Sequence, residues 1–402
     1  MNVAAAAQNT ERSILAVLKH TLGPAEEFIP LHVPEFSGNE WKYVKECLDT
    51  GWVSSVGAYV DRFECEMAAF IGAGHAVAVM NGTAALHLAL LLAGVKPGDE
   101  VIAPVLSFVA TANAIAYCHA QPHFVDISPL TLGMDPVKLA AHLDVCAEKR
   151  PNGLFNRETG NRIAAVVPMH TFGHPVELIA LMAVCQDFGL PMVEDAAESL
   201  GSTYGGRHCG TFGILGTLSF NGNKVLTTGG GGMIVTNDPD LAKRAKHLST
   251  TAKTPHPWLY IHDDIGFNYR LPNINAALGC AQLESLPDAL IRKRRLAAAY
   301  DKAFAGIPGV TFVRETAGTH SNYWLNAIIL DDVPTVEAMR NSLLKELNAT
   351  NYMVRPPWSL LHKSKPFRDA PRMASLSEAE SIERRLINLP SSPQLANRLQ
   401  MS

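Results

Sequence analysis

Between about Gly51 and Ala289, short apolar runs alternate with longer stretches whose apolar residues recur every three or four positions. The runs around Val77, Val101, His123, Val166, Met192, Leu218 and Met233 predict strands, and the stretches between them predict helices, one of them starting near Leu86 and ending near Gly94. Strands separated by helices predict an α/β unit with a mixed, mostly parallel sheet covered by helices. The rhythm breaks once, across residues 146–162, where Pro151-Asn152-Gly153 and Thr159-Gly160-Asn161 predict a surface loop near the mouth of a site. After Ala289 the pattern predicts a long helix, strands near Val310 and Asn326, a helix near residues 338–347 and a last helix near residues 377–386, which together make a smaller α+β unit. The expected division is residues 1–50 as an N-terminal segment packing on the small domain, 51–289 as the large domain and 290–402 as the small C-terminal domain.

Three of the predicted strands end in residues with chemistry to offer, and in open α/β sheets ligands bind beyond the carboxyl ends of strands. The strand at Val77 runs into Asn81-Gly82-Thr83-Ala84-Ala85-Leu86, the start of an apolar helix. Unpaired amides of a first helical turn can seat a phosphate, and Thr83 adds a hydroxyl, although Gly-Thr there is also ordinary capping. Met192-Val193 leads into Glu194-Asp195, and Asp195 could either face a cationic ring nitrogen or cap a following helical turn. Ser219-Phe220-Asn221-Gly222-Asn223-Lys224 precedes Thr227-Thr228 and the glycines 229–232. On its own Lys224 fits a solvated lysine before a flexible turn. In the order phosphate seat, Asp, Ser, Lys, it fits the Schiff-base lysine of an enzyme using pyridoxal phosphate (PLP), with glycines letting backbone approach a flat ring.

Composition narrows the class without naming a reaction. A 402-residue chain with 47% hydrophobic and 18% charged residues can bury a large core. A formal net charge of −4 excludes the broad basic face of a nucleic-acid-binding protein. Apolar stretches such as 86–95 are too short to span a bilayer, so no membrane contact is expected. Residues 1–8 lack the basic start and apolar run of a secretory signal, so a cytoplasmic location is expected. Seven cysteines without a Cys-x-x-Cys pair read as reduced packing residues, and fifteen histidines without a His-Glu-x-x-His cluster lead to the expectation of no metal site. The basic run Arg292-Lys293-Arg294-Arg295 lies in a helical pattern and is expected to be a solvated face.

The strand-end motifs, together with Gly266-Phe267-Asn268-Tyr269-Arg270-Leu271, Gly51-Trp52-Val53-Ser54-Ser55-Val56-Gly57, the segment from Pro104 to Ile115 and Ile387-Asn388-Leu389-Pro390-Ser391-Ser392, resemble the DegT/DnrJ/StrS family of nucleotide-sugar aminotransferases over nearly the whole chain. The resemblance implies the type I fold of PLP-dependent aminotransferases. It implies that Lys224 holds the cofactor and moves the proton at C4 of the sugar, that Asp195 pairs with the ring nitrogen, and that Phe108 stacks on the ring, against the plainer reading of Phe108 as a core residue. Gly82, Thr83, Ala84 and Ser219 would bind the cofactor, its phosphate above all. Asn268 would reach the same phosphate from a neighbouring subunit, making a homodimer with shared active sites. Glu198-Ser199-Leu200-Gly201-Ser202 looks most like the LegC/PglE branch, the UDP-4-amino-4,6-dideoxy-N-acetylglucosamine transaminases. Glu198 could orient the cofactor hydroxyl, touch substrate or face a partner on a helix surface. Arg270, Tyr323 and Arg355 are candidates for the substrate pocket, with packing between domains the alternative for the last two.

The implied reaction takes an amino group from glutamate and places it on a 4-keto-6-deoxy nucleotide sugar, expected to be UDP-4-keto-6-deoxy-N-acetylglucosamine. A GDP-linked 4-keto hexose giving perosamine, or a 3-keto sugar, is the alternative within the class. A dehydratase is disfavoured because such relatives replace the lysine by histidine, and a PLP-fold regulator because little chain precedes Phe28.

Overall fold

The computed structural model describes residues 3–399, with side chains from Arg12 onward. Met1, Asn2 and residues 400–402, with part of the amino-terminal stretch read above for a signal, lie outside that description. The principal strands are β1 (His75–Val79), β2 (Glu100–Pro104), β3 (Gln121–Val125), β4 (Ala147–Arg150), β5 (Gly153–Asn156), β6 (Arg162–Val166), β7 (Val193–Asp195), β8 (Thr203–Tyr204), β9 (Arg207–His208), β10 (Leu215–Ser219) and β11 (Gly232–Thr236). The helices up to residue 304 are α1 (Val3–Leu22), α2 (Glu40–Thr50), α3 (Ala58–Ile71), α4 (Gly82–Leu92), α5 (Val109–Tyr117), α6 (Pro136–Cys146), α7 (Leu178–Phe188), α8 (Pro239–Ser249) and α9 (Asn273–Phe304).

Five strands pair in the order β3-β2-β6-β5-β4 and four in the order β1-β11-β10-β7. Parallel bridges Val166–Met192 and Met169–Asp195 join the two sets at β6 and β7. Within this surface β3, β2, β6, β7 and β10 run parallel and β11 runs against both of its neighbours. Every residue of β2 and of β11 is buried, as strands covered by helices on both faces must be. The architecture expected from the sequence is therefore present: an α/β unit on a mixed, mostly parallel sheet, followed by smaller α and β elements.

Local chemistry sets several helix starts. Asp135 and Asp238 each accept hydrogen bonds from two amides of the following turn, with Pro136 and Pro239 at the first helical position. Past α9, a three-stranded antiparallel sheet of Val310–Phe312, Asn326–Leu330 and Leu386–Leu389 packs with Ile14, Leu18 and Leu22 of α1 against Leu296 and Tyr300 of α9.

Two expectations are corrected here. Residues 146–162 are not a loop at the site mouth: β4 and β5 form an antiparallel hairpin around the turn Pro151-Asn152 and extend the sheet. The turn residues were legible, but the paired flanks, with few apolar positions, were not. The next connection lies on Glu100, at the start of β2, whereas Asp195 ends β7, a strand running in the same direction. Of the run 292–295 only Arg295 is exposed as a solvated face would be. Lys293 is fully buried and donates to the carbonyls of Trp324 and Ser391, Arg292 pairs with Glu35 and Asp288, and Arg294 pairs with Glu315.

Candidate active site

The carboxyl ends of the strands converge on one cavity of about 340 Å³, within the range of small-molecule sites. After β1 come Asn81, Gly82 and Thr83; after β2, Phe108; after β6, Met169; β7 ends in Asp195 and β10 in Ser219. The loop after β10 brings Lys224 across the opening, and Trp324 and Trp358 close it from the C-terminal part of the chain. A larger groove of about 640 Å³ lies among Glu337, Arg340, Lys363, Glu380, Glu383 and Arg384. Within or beside it Arg340 pairs with Glu337, Lys363 with Glu383 and Arg384 with Asp332, and none of the strand ends above lines it.

The seat at the start of α4 depends on close approaches. A β-carbon on Gly82 would lie 2.9 Å from that of Ser219, so glycine alone keeps the gap between Thr83 and Ser219 open. One on Gly232 would lie 2.4 Å from the backbone of Asn81. The glycine run thus lets β11 meet the start of α4; only Gly231 of the run lines the cavity. Asn81 Oδ1 accepts from the Ala84 amide at 2.7 Å, and the Ala84 side chain is buried. That bond engages the Ala84 amide, one of the groups expected to hold a phosphate.

Three charged groups define the electrostatics. Asp195 is buried; one carboxylate oxygen accepts from Thr111 Oγ1 at 2.7 Å and the other from the Ala197 amide at 3.2 Å. No helix follows Asp195, so it caps a turn and not a helix. Burial raises its pKa despite these bonds. Glu198 is equally buried, accepts from the Phe172 amide at 2.9 Å and sits 3.1 Å from Lys224 Nζ; burial outweighs the lysine and pushes its pKa up to about 7. This placement overturns the partner-facing helix-surface reading of Glu198. Lys224 Nζ also lies 3.8 Å from the centre of the Trp324 ring, whose indole N–H is held by the Asn223 carbonyl at 2.7 Å.

Phe108 is 48% exposed and turned to the cavity, with Trp358 6.2 Å away, which removes the core reading of that residue. Asn268 is exposed and Arg270 half-buried; both pair through their main chains, with Thr250 and Val79, and neither lines the cavity. Tyr323 is buried between His174 and Phe312, with its hydroxyl accepting from the Glu315 amide, so packing replaces the substrate contact expected of it. Arg355 is exposed and its main chain pairs with Asn388, outside the cavity lining. Sequence reasoning assigned no role to Met169, Asn221 or Asn223 at the lining, nor to Thr111 on Asp195. For Thr111 a signal existed, since it falls on the first turn after the β2 loop that carries Phe108.

The residues present fit PLP: a Cβ-free cradle at a helix start suits the phosphate, a buried carboxylate of raised pKa suits the ring nitrogen, Phe108 offers a face and Lys224 an amine. Comparison with known proteins agrees. The model of the DegT/DnrJ/EryC1/StrS aminotransferase family matches residues 34–401. The chain is 38% identical over 371 residues to the GDP-perosamine synthase of Escherichia coli O157:H7, covering 92% of this chain and 95% of that protein. It is 37% identical over 374 residues to the GDP-perosamine synthase of Vibrio cholerae, with 92% and 95% covered. Among solved structures, the aminotransferase TlmJ from Streptoalloteichus hindustanus superposes with a TM-score of 0.81 at 30% identity, covering 91% of this chain and 94% of that one.

Proposed function

Because this chain belongs to the DegT/DnrJ/EryC1/StrS family of PLP-dependent sugar aminotransferases, we propose that it takes an amino group from glutamate and transfers it to C4 of a GDP-linked 4-keto-6-deoxy hexose. The observation that carries this reading is the meeting of Lys224, Asp195 and the start of α4 in one cavity. The acceptor is chosen on the two GDP-perosamine synthases above, each similar over more than nine-tenths of the chain. The LegC/PglE-like pattern at Glu198 to Ser202 supports a second acceptor, UDP-4-keto-6-deoxy-N-acetylglucosamine.

When bound, the cofactor stores the amino group between the two substrates and withdraws electrons from the carbon that exchanges it. The Gly82 and Thr83 amides with the Thr83 and Ser219 hydroxyls would hold its phosphate. Asn268, exposed on one subunit, would add a contact in a neighbouring site and make the dimer part of the catalyst. Asp195 would face the ring nitrogen, where its charge keeps a proton. Phe108 and Ala197 would confine the ring. Lys224 would carry the proton to and from C4 of the sugar. Glu198, whose pKa burial raises to about 7 beside Lys224, would accept the proton that the ammonium must lose before it acts as a base.

The test is an absorbance titration of the PLP-loaded protein. Glutamate is expected to deplete the visible band, and the GDP-linked keto sugar to restore it faster than the UDP-linked one. Restoration by the UDP-linked sugar alone transfers the assignment to the second acceptor. No response to glutamate ends the amino-donor assignment.

A further inference from the structure

Away from the cavity, His123 on β3 meets His142 and Cys146 on α6. One ring nitrogen of each histidine and Cys146 Sγ all lie within 4.8 Å of one another, and the two Nε2 atoms are 2.7 Å apart. His142 and Cys146 are four residues apart on one helix and so share a face. We propose that these three residues bind a zinc ion.

The donor set matches that ion: two imidazoles and a thiolate suit borderline Zn²⁺, which takes nitrogen at about 2.0–2.1 Å and sulfur at about 2.3 Å in tetrahedral geometry. Tetrahedral ligands at those lengths stand about 3.5 Å apart. The imidazole pair must therefore open by about 1 Å and the thiol, at most 4.8 Å away, close by no more than about that much, a shift open to the half-buried side chains of His142 and Cys146. The surroundings are those of a ligated histidine. His123 Nδ1 lies 2.8 Å from Glu100 Oε2, and a carboxylate there can only accept, so the Nδ1–H points to Glu100 and the Nε2 lone pair points to His142. Glu100 is fully buried and also accepts from Asn156 Nδ2 at 2.9 Å and from the Thr159 hydroxyl. Cys146 releases its proton to solvent as sulfur bonds to the metal. Zn²⁺, one thiolate and the Glu100 carboxylate then sum to zero charge in a partly buried place. Water completes the fourth position, on the side where His142 and Cys146 are half-exposed.

The role is a clamp and not catalysis. Glu100 begins β2, whereas the cavity gathers the far ends of the parallel strands. The ion would tie α6 to β3 and, through Glu100, to the connection after β5.

The test uses tag-free, PLP-loaded protein stripped with a chelator and titrated with Zn²⁺ against a chromogenic chelator. One equivalent is expected, with loss of that site in Cys146→Ser and in His142→Ala, affinity about 10- to 100-fold weaker in Glu100→Gln, and full binding in a Cys65→Ser control whose exposed thiol lies elsewhere. Co²⁺ in place of zinc is expected to give a thiolate charge-transfer band that Cys146→Ser abolishes. Binding below one equivalent, or binding indifferent to both ligand substitutions, overturns the proposal and leaves His123 and His142 as a hydrogen-bonded pair.

Discussion

Glu194 and Asp195 are neighbours on β7, so their side chains leave the strand on opposite faces of the sheet, and both are almost wholly buried. Glu194 is surrounded by donors: the amides of Gly210 at 2.8 Å, Phe212 at 2.5 Å and Gly213 at 2.7 Å, and His170 Nε2 at 3.1 Å. The Val176 amide donates to His170 Nδ1, which leaves Nε2–H to point at the carboxylate. Burial alone would raise Glu194, but these donors together hold its pKa below the ordinary glutamate value. Asp195 has one hydroxyl and one amide, and its pKa goes up. A buried carboxylate satisfied on all sides anchors a fold. One left short of donors and turned to a cavity is prepared for a cation that is not part of the chain.

The largest expected split between the two faces comes from truncation. Glu194→Ala strands three amides and His170, and should cost about 3 kcal/mol or more by urea denaturation. Asp195→Asn should stay within about 1 kcal/mol of wild type yet lose about 100-fold or more in kcat/KM. If Asp195→Asn unfolded the protein while Glu194→Ala merely slowed it, the division of roles would be reversed.

Lys224→Ala should abolish turnover while the chain stays folded, since its ammonium serves the cavity face only; circular dichroism beside an activity assay separates the two. Thr111→Val sharpens the contrast further. It takes one of the two donors from Asp195 and should cost about 1 kcal/mol of stability, with a larger relative drop in kcat than in KM for glutamate.

The smallest effect is a pH dependence. Glu198 titrates near 7 in the folded protein against an ordinary value of 4.5, so the unfolded chain gives up that proton first. Its contribution to stability is present below about pH 4.5 and is lost as pH rises to about 7. Glu194 has the opposite sign: its contribution is present above the ordinary value and is lost as pH falls through its depressed pKa. Urea midpoints of Glu198→Gln should therefore gain on wild type between pH 4.5 and 7, and a flat difference would remove Glu198 from the account.

Much of the cavity face was legible in the chain. Asp195, Lys224, Ser219, Gly82 and Thr83 each follow a recognisable apolar run, because the end of a buried strand is marked locally by the switch to small or polar residues. Tyr323 and Trp324 show the limit. Both are aromatic residues in one irregular segment, and only packing against His174 on one side and the cavity on the other tells them apart. Ala84 shows a related limit, since its amide is engaged by a side chain three residues earlier.

The type I fold and the class of chemistry were implied by the resemblance of the motifs to a known family; what the sequence determined by itself was the alternation of strands and helices and the order of the strand-end motifs. Those features depend on periodicity and on short-range backbone preferences, which are written in neighbouring residues. The tertiary structure alone decided which of two adjacent carboxylates meets the cavity, that Lys293 lies buried in a run of basic residues, and that His123 stands against His142 and Cys146. Each of these is a matter of which distant groups share a low-dielectric space, and burial changes the energy of a charge by more than anything its neighbours along the chain can signal.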